Sequence, residues 1–410
     1  MGGGVERLAA DGALPTSRGL DSNAAVIVLG VLTITAYGGW YYGFGVVLDP
    51  IHREEGWSTA FLGGVFGAAI LVNGVGAALG GRLLDRAGPR RTFLLAAAFG
   101  GGLLLASGQQ HNAVAFGLCY AIGGGGIGAL GFYHITQAAA MRSAPSDPAR
   151  AVRLLTMIGA FSSPIFLPLT AWLVQSTSWR TTITVEAVLA FVSFIAAAVV
   201  VPDHRVSFRA TGRSREAFRQ AWRSQLFRRL LVATLLSGIA ADIMLAFQIP
   251  IMRAAGLPLA TAAVIAGLRG LSQLIGRLPL GAVLKRVPAR RALAIAQAAA
   301  AMAALLLLAS GSLAVAIAFG LVAGAATGAS SPLQGIHTAE IVPTAHLGLL
   351  LGVQQALYGI AGAAGPVVAG VMLSSTGSWV PAIVLTAAGF LAAAVLLRDT
   401  RIDAVALTLD

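Results

Sequence analysis

Charge is scarce in this sequence: only 11% of its 410 residues are Asp, Glu, Lys or Arg, against about 25% in a soluble globular protein. A chain so poor in charge cannot present most of its surface to water. Lysine is almost missing, with Lys285 the single lysine among 28 basic residues. Cysteine is limited to Cys119, which excludes an intrachain disulfide framework. No His/Cys/Asp/Glu group has metal-ligand spacing, and no His/Asp/Ser constellation is present, so neither a metal nor a cofactor is expected and an enzyme is disfavoured. No phosphate-binding loop occurs either: the glycine run 123–126 lies in an apolar stretch and lacks the essential lysine, which argues against an ATP-driven pump. The first 25 residues lack the apolar core and cleavage site of a secretory signal.

What the chain has in abundance is long apolar sequence, 57% of residues being hydrophobic. Twelve runs reach spanning length, about 20 residues: 25–48, 58–80, 92–109, 113–137, 153–175, 181–201, 230–252, 258–284, 291–309, 313–335, 347–373 and 379–397. Backbone polar groups in lipid must be satisfied within the segment, which makes each run a helix. The dyad alternation of a membrane barrel is absent. The expected class is an all-α membrane protein of twelve helices in two six-helix bundles. Its parts are a tail (1–24), an N-terminal bundle (25–201), a polar central loop (202–229), a C-terminal bundle (230–398) and a second tail (399–410).

The net charge of +12 would suggest nucleic acid in a soluble protein. Here the basic residues fall in gaps between runs and report topology instead. Alternate connections, with the two tails, hold 23 of them, whereas the opposite connections hold only Arg53, Arg180 and Arg253. The positive-inside rule then puts both termini in the cytoplasm and the chain in the cell inner (plasma) membrane. In the central loop Arg215, Arg219 and Arg223 recur every fourth residue, consistent either with a surface-lying helix or with a solvated linker.

The halves repeat. Gly81, Leu84, Arg86, Arg90 and Arg91 recur two hundred positions later as Gly281, Leu284, Arg286, Arg290 and Arg291, and Ser178-Trp179 recurs as Ser378-Trp379. The first copy, Gly81 through Asp85, Arg86, Gly88, Arg90 and Arg91, resembles the G-x-x-x-D-R-x-G-[RK]-[RK] loop of the major facilitator superfamily. Gly81 permits close helix approach and Gly88 a tight turn. Asp85 is placed to accept from a neighbouring helix N-terminus while the arginines stay at the cytoplasmic surface, an arrangement that gates one conformation. The second copy carries Lys285 in place of the aspartate.

Within that superfamily the chain resembles the monocarboxylate transporter family and its bacterial relatives over roughly 28–395. The pieces are Gly38-Gly39-Trp40, Pro168-Leu169 with Trp179-Arg180, and Gln248-Ile249-Pro250. Gly276-Arg277 with Gly281, Gly365-Pro366 with Gly370, and Thr376-Gly377-Ser378-Trp379 complete the match. The resemblance implies alternating access around a midplane site between the halves. It makes Arg277 the residue that binds a substrate carboxylate. This chain departs from the family at Gln248 (often His), at Gln273 (Asp in animal members) and in lacking a first-helix lysine.

Charges inside spans are costly, about 2.5–3.5 kcal/mol each on insertion scales, and so are expected to face a cavity or a partner. Arg269 competes with Arg277 for the anion, since a planar, permanently charged guanidinium suits a carboxylate in either position. Asp242 and Arg269 lie at similar depth, about 15 Å from one end of their helices. An ion pair between them is expected, either coupling a proton to the substrate or serving as a static bridge. Glu186 is a second carboxylate candidate, placed near the outer surface.

Further candidate lining residues are Tyr37, Tyr41, Tyr42, Asn73 and Tyr120 in the first half and Gln354, Gln355 and Tyr358 in the second, each also open to a packing role. Tyr133, His134 and Gln137 fall near the cytoplasmic end of run four. The glycines 123–126, 128 and 131 read as close helix packing. The expected activity is secondary transport of a small organic anion, a monocarboxylate, with a proton, by a monomer in the bilayer without nucleic acid. The alternatives are an exporter of drugs or metabolites and a transport-fold sensor.

Overall fold

The computed structural model describes residues 18–203, 219, 221–341 and 347–398. Most of the central loop and both tails lie outside them, and so does the surface-helix reading of 215–223, Arg219 and residues 221–223 excepted. Among the described residues the chain is all helix and turn, with no strand. Eleven helices among the described residues are long and apolar enough to cross a membrane. The remaining span, third in chain order, is continuous with the second across a kink.

We number the spans in chain order. α1 runs from Arg18 to Glu55 in three pieces, Arg18–Tyr37, a π-helical turn Gly38–Tyr42, and Phe44–Glu55. The helix Thr59–Leu95 bends at Gly88, whose φ of +80° only glycine adopts readily. Its two limbs are α2 (59–87) and α3 (89–107), the latter carrying a second π turn, Ala96–Gly101. Then follow α4 (Ala113–Ser143), α5 (Arg150–Ser176), α6 (Trp179–Val200), α7 (Gln225–Ala254), α8 (Leu259–Leu284), α9 (Ala289–Ala309), α10 (Leu313–Ile341), α11 (Leu347–Thr376) and α12 (Val380–Arg398).

Short polar signals set the ends. Ser58, Asn112, Asp147, Ser178 and Ser224 each cap a helix by accepting from backbone N–H groups inside it. After α1 and α7 the chain turns on Gly56 and Gly256, both at positive φ. Two hundred residues separate these turns, so the offset of the sequence repeat recurs in the backbone.

The helices form two bundles, α1–α6 and α7–α12. α4 threads the first on its glycines. Gly123 abuts α3 at Leu104, Gly124 abuts Trp40 of α1, and Gly125 abuts Ala69 and Val72 of α2. This is the close packing expected of the run. In the second bundle Gly276 meets the Ala325 carbonyl, and Gly324 and Gly328 meet those of Arg269 and Gln273, bringing α8 hard against α10.

Contact between the bundles is lopsided along the membrane normal. Phe44–Glu55 of α1 packs on α7, and Ser162–Ser176 of α5 packs on α8. The pieces toward the arginine-rich face, Arg18–Tyr37 of α1 and the helix Pro148–Gly159 that opens α5, make no comparable contact with the second bundle. α2 meets α11 from Thr59 against Gly370, through Gly63 against Pro366 and Gly67 against Ala363. The bundles are therefore closed on the arginine-poor face and separated toward the arginine-rich one.

Candidate functional site

Where the bundles part, the π turn of α1 sets the site. The extra residue rotates Tyr41 and Tyr42 out of the α-helical register of Arg18–Tyr37 and toward the second bundle. Tyr41 donates to Asp242 Oδ1 of α7 at 3.2 Å, a hydrogen bond that crosses between bundles. An aromatic wall stands around this contact. Tyr37 stacks on Phe132 with centroids 3.6 Å apart, Tyr133 lies 5.3 Å from Tyr37, and Tyr41 meets Phe66 at 6.0 Å.

The second bundle supplies the charges. Asp242 is 2% and Arg269 8% exposed. They do not form the expected ion pair, since among the described residues no Asp or Glu oxygen lies within 4.0 Å of the Arg269 guanidinium. Arg269 Nη1 instead donates to Gln248 Oε1 of α7 at 3.0 Å. Asp242 turns the other way, toward Tyr41 and toward Gly362 of α11. The two charges stay within electrostatic reach of each other, but each side chain takes a different partner.

Arg277 lies about two helical turns nearer the arginine-rich face. Its Nη2 donates to Gln273 Oε1 at 2.9 Å and its Nε to the Gly328 carbonyl at 3.4 Å. Both membrane arginines are thus held by neutral amides. Gln248 and Gln273, departures from the resembled family, are the residues that hold them. Tyr42, half-buried on α1, lies within electrostatic reach of both guanidinium groups, and Tyr133 within reach of Arg277.

The remaining sequence candidates divide. Tyr358 borders Asp242 and Arg269 and belongs to the site. Asn73 faces Gly128 beside Trp40, and its Oδ1 and the Trp40 Nε1 are both buried without a partner. Tyr120 is tied inside the first bundle, donating to the Trp40 carbonyl at 2.8 Å. Gln354 has both ends engaged within the second bundle, donating to Thr234 at 3.0 Å and accepting from Thr338 at 2.9 Å. His134 donates to the Ala129 carbonyl at 3.0 Å. Glu186 is buried, 3% exposed, behind the α1 turn and bonded to Thr170.

At the arginine-rich face, Asp85 pairs with Arg142 of α4, not with a helix N-terminus. The same arginine reaches the Leu84 carbonyl at 3.5 Å. Gly88 turns the chain against Asp203, while Arg86, Arg90 and Arg91 are exposed and Gly81 has open space beside it. On the opposite face Arg180 bonds Glu55 at 2.6 Å and the Gln110 carbonyl at 2.6 Å, and lies 4.2 Å over the Trp179 ring.

Comparison with known proteins decides the family. The model of the Major Facilitator Superfamily matches residues 29–268 and 230–406. The chain belongs to the major facilitator superfamily. No curated protein matches it in sequence. Among solved structures it is similar to the nucleoside transporter NupG (TM-score 0.76, 14% identity, 92% of this chain and 98% of that one). It is also similar to a D-xylose–proton symporter (TM-score 0.69, 16% identity, 92% and 97% covered). A third is a bacterial homolog of the human lysosomal transporter Spinster, inward-facing and unoccupied (TM-score 0.69, 16% identity, 94% and 95% covered). At these identities the likeness carries the fold: a multi-pass transporter architecture of the major facilitator type.

Proposed function

We propose that this major facilitator protein is a secondary transporter of a small organic anion, a monocarboxylate with an apolar or aromatic body, moved together with a proton. The supporting observation is the state of Arg269 and Arg277. Both lie within a span, and the side-chain partner of each is a neutral amide. A membrane-embedded cation with no carboxylate in contact is stabilised by a mobile anion, and the guanidinium fork matches a carboxylate. The tyrosine and phenylalanine wall offers faces for an apolar body. Asp242, within electrostatic reach of Arg269 but bonded to Tyr41, is the proton-carrying group of this reading. With the arginine-rich face assigned to the cytoplasm by the positive-inside rule, the arrangement is inward-open, and the protein acts as a monomer in the inner membrane.

The test is uptake of labelled lactate and benzoate into proteoliposomes under an imposed pH gradient, paired with a thermal-shift screen of carboxylates on the purified protein. Wild type is expected to accumulate at least one of them, and Arg277→Ala and Arg269→Ala to lose both uptake and the carboxylate-induced shift. A full thermal response in both variants overturns the anion site. Gradient-driven efflux of a cationic dye with no carboxylate response would favour the exporter.

A further inference from the structure

Glu186 takes no part in the anion site, yet its surroundings are unusual for a carboxylate. It lies in α6, and no Arg, Lys or His nitrogen comes within ion-pair distance of it among the described residues. Arg180, the one basic residue of α6, is engaged with Glu55. From α1 the backbone of the π turn presses on the carboxyl group: a Cβ at Gly39 would lie 3.3 Å from Oε2, and one at Gly43 would lie 3.2 Å from Oε1. From α4 the nearby titratable group is Tyr120, whose hydroxyl proton is committed to the Trp40 carbonyl. From α5 comes Thr170.

The protons around Thr170 can be counted. Its Oγ1 is 2.6 Å from the Phe166 carbonyl, which can only accept, and is also bonded to Glu186 Oε1. One hydroxyl hydrogen cannot serve both oxygens. With an ionised Glu186, two acceptors compete for that hydrogen, and an anion stays under-bonded where water is excluded. With a proton on Glu186 both Thr170 contacts are satisfied: the acid O–H donates to Thr170, and Thr170 donates to Phe166.

We propose that Glu186 is a proton-binding site of the first bundle, separate from Asp242, occupied in this conformation and holding the α1 turn in place. Losing the proton leaves a carboxylate that needs new donors. The Gly43 N–H is the nearby backbone candidate, and it is committed to the Gly38 carbonyl at 2.9 Å. Recruiting it opens the π turn that carries Tyr41 to Asp242. The proton at Glu186 and the geometry of the central site are therefore linked, whatever the transported molecule.

The experiment is infrared difference spectroscopy of the full-length protein in nanodiscs, titrated from acid to alkaline pH, which needs no substrate. The expected result is a protonated-carboxyl band that persists above the range of ordinary glutamates and is missing in Glu186→Gln. That band should survive in Asp242→Asn and move in frequency in Thr170→Ala, which removes its acceptor. Identical band sets in wild type and Glu186→Gln overturn the proposal. Should Glu186→Gln not fold, Thr170→Ala decides alone, and an unshifted carboxyl spectrum there is equally fatal. Uptake of lactate plays no part in the readout, so failure here is distinct from failure of the anion reading.

Discussion

Gly362 makes room for a carboxylate. A Cβ at that position would lie 2.0 Å from Asp242 Oδ2 and 3.1 Å from Cγ, so even alanine cannot enter without displacing the acid. Asp242 in turn accepts from Tyr41, so a methyl group on α11 is felt on α1. Gly362→Ala is expected to cost about 1–3 kcal/mol, the usual penalty of overpacking, read as a lower denaturation midpoint in detergent. It should also abolish proton-driven uptake while leaving carboxylate binding at Arg277 within a few fold of wild type. Unchanged gradient-driven uptake in a folded Gly362→Ala protein would remove Asp242 from the coupling path. Gln248 is the second residue of this kind. It fixes the Arg269 fork with its single amide oxygen, a task that a neutral histidine could do only through an unprotonated ring nitrogen.

At the scale of the element, glycines do two jobs that substitution should separate. Gly125 of α4 lies within the first bundle, where a Cβ would meet the Ala69 carbonyl at 2.5 Å and Val72 at 2.6 Å. Gly67 of α2 lies between bundles, where a Cβ would meet the Ala363 carbonyl at 2.3 Å. Gly125→Val should destabilise the fold with no change in conformational preference. Gly67→Val should instead wedge α2 from α11 and populate the alternative state. Distances between spin labels on the arginine-poor face would lengthen in the second variant alone. Equal lengthening in both would mean the α2–α11 contact is not a conformational seam.

Elements also mark how far sequence reading reaches. The helix count, the glycine-packed α4 and the bend at Gly88 follow from run length and residue type, which act locally. The π turn Gly38–Tyr42 does not, because its sequence propagates an α-helix equally well and the bulge is chosen by what packs on it. The partner exchange at Asp242 and Arg269 has the same origin. Run length gives a residue's depth along its helix, while its azimuth depends on neighbouring helices. Depth put these two charges side by side, and azimuth sent one to Tyr41 and the other to Gln248.

For the whole molecule, closure on one face and separation on the other imply that transport requires the arginine-poor face to part. Thr59 Oγ1 of α2 and Ser374 Oγ of α11 lie 3.3 Å apart across that face, one on each bundle. Cysteines at these two positions place their sulfur atoms where the hydroxyls now touch, close enough for a disulfide to form with small adjustment. Cys119 is the sole native cysteine, so Cys119→Ser gives a clean background. In that background Thr59→Cys with Ser374→Cys should cross-link under mild oxidation. Transport should then fall to the level of empty liposomes and return on reduction, with each single variant unaffected by either treatment. Rocking bundles cannot move substrate with one rim tied. A cross-linked protein that still turns over would mean that the face opens elsewhere, or that this closed rim is a permanent feature and not one state of a cycle.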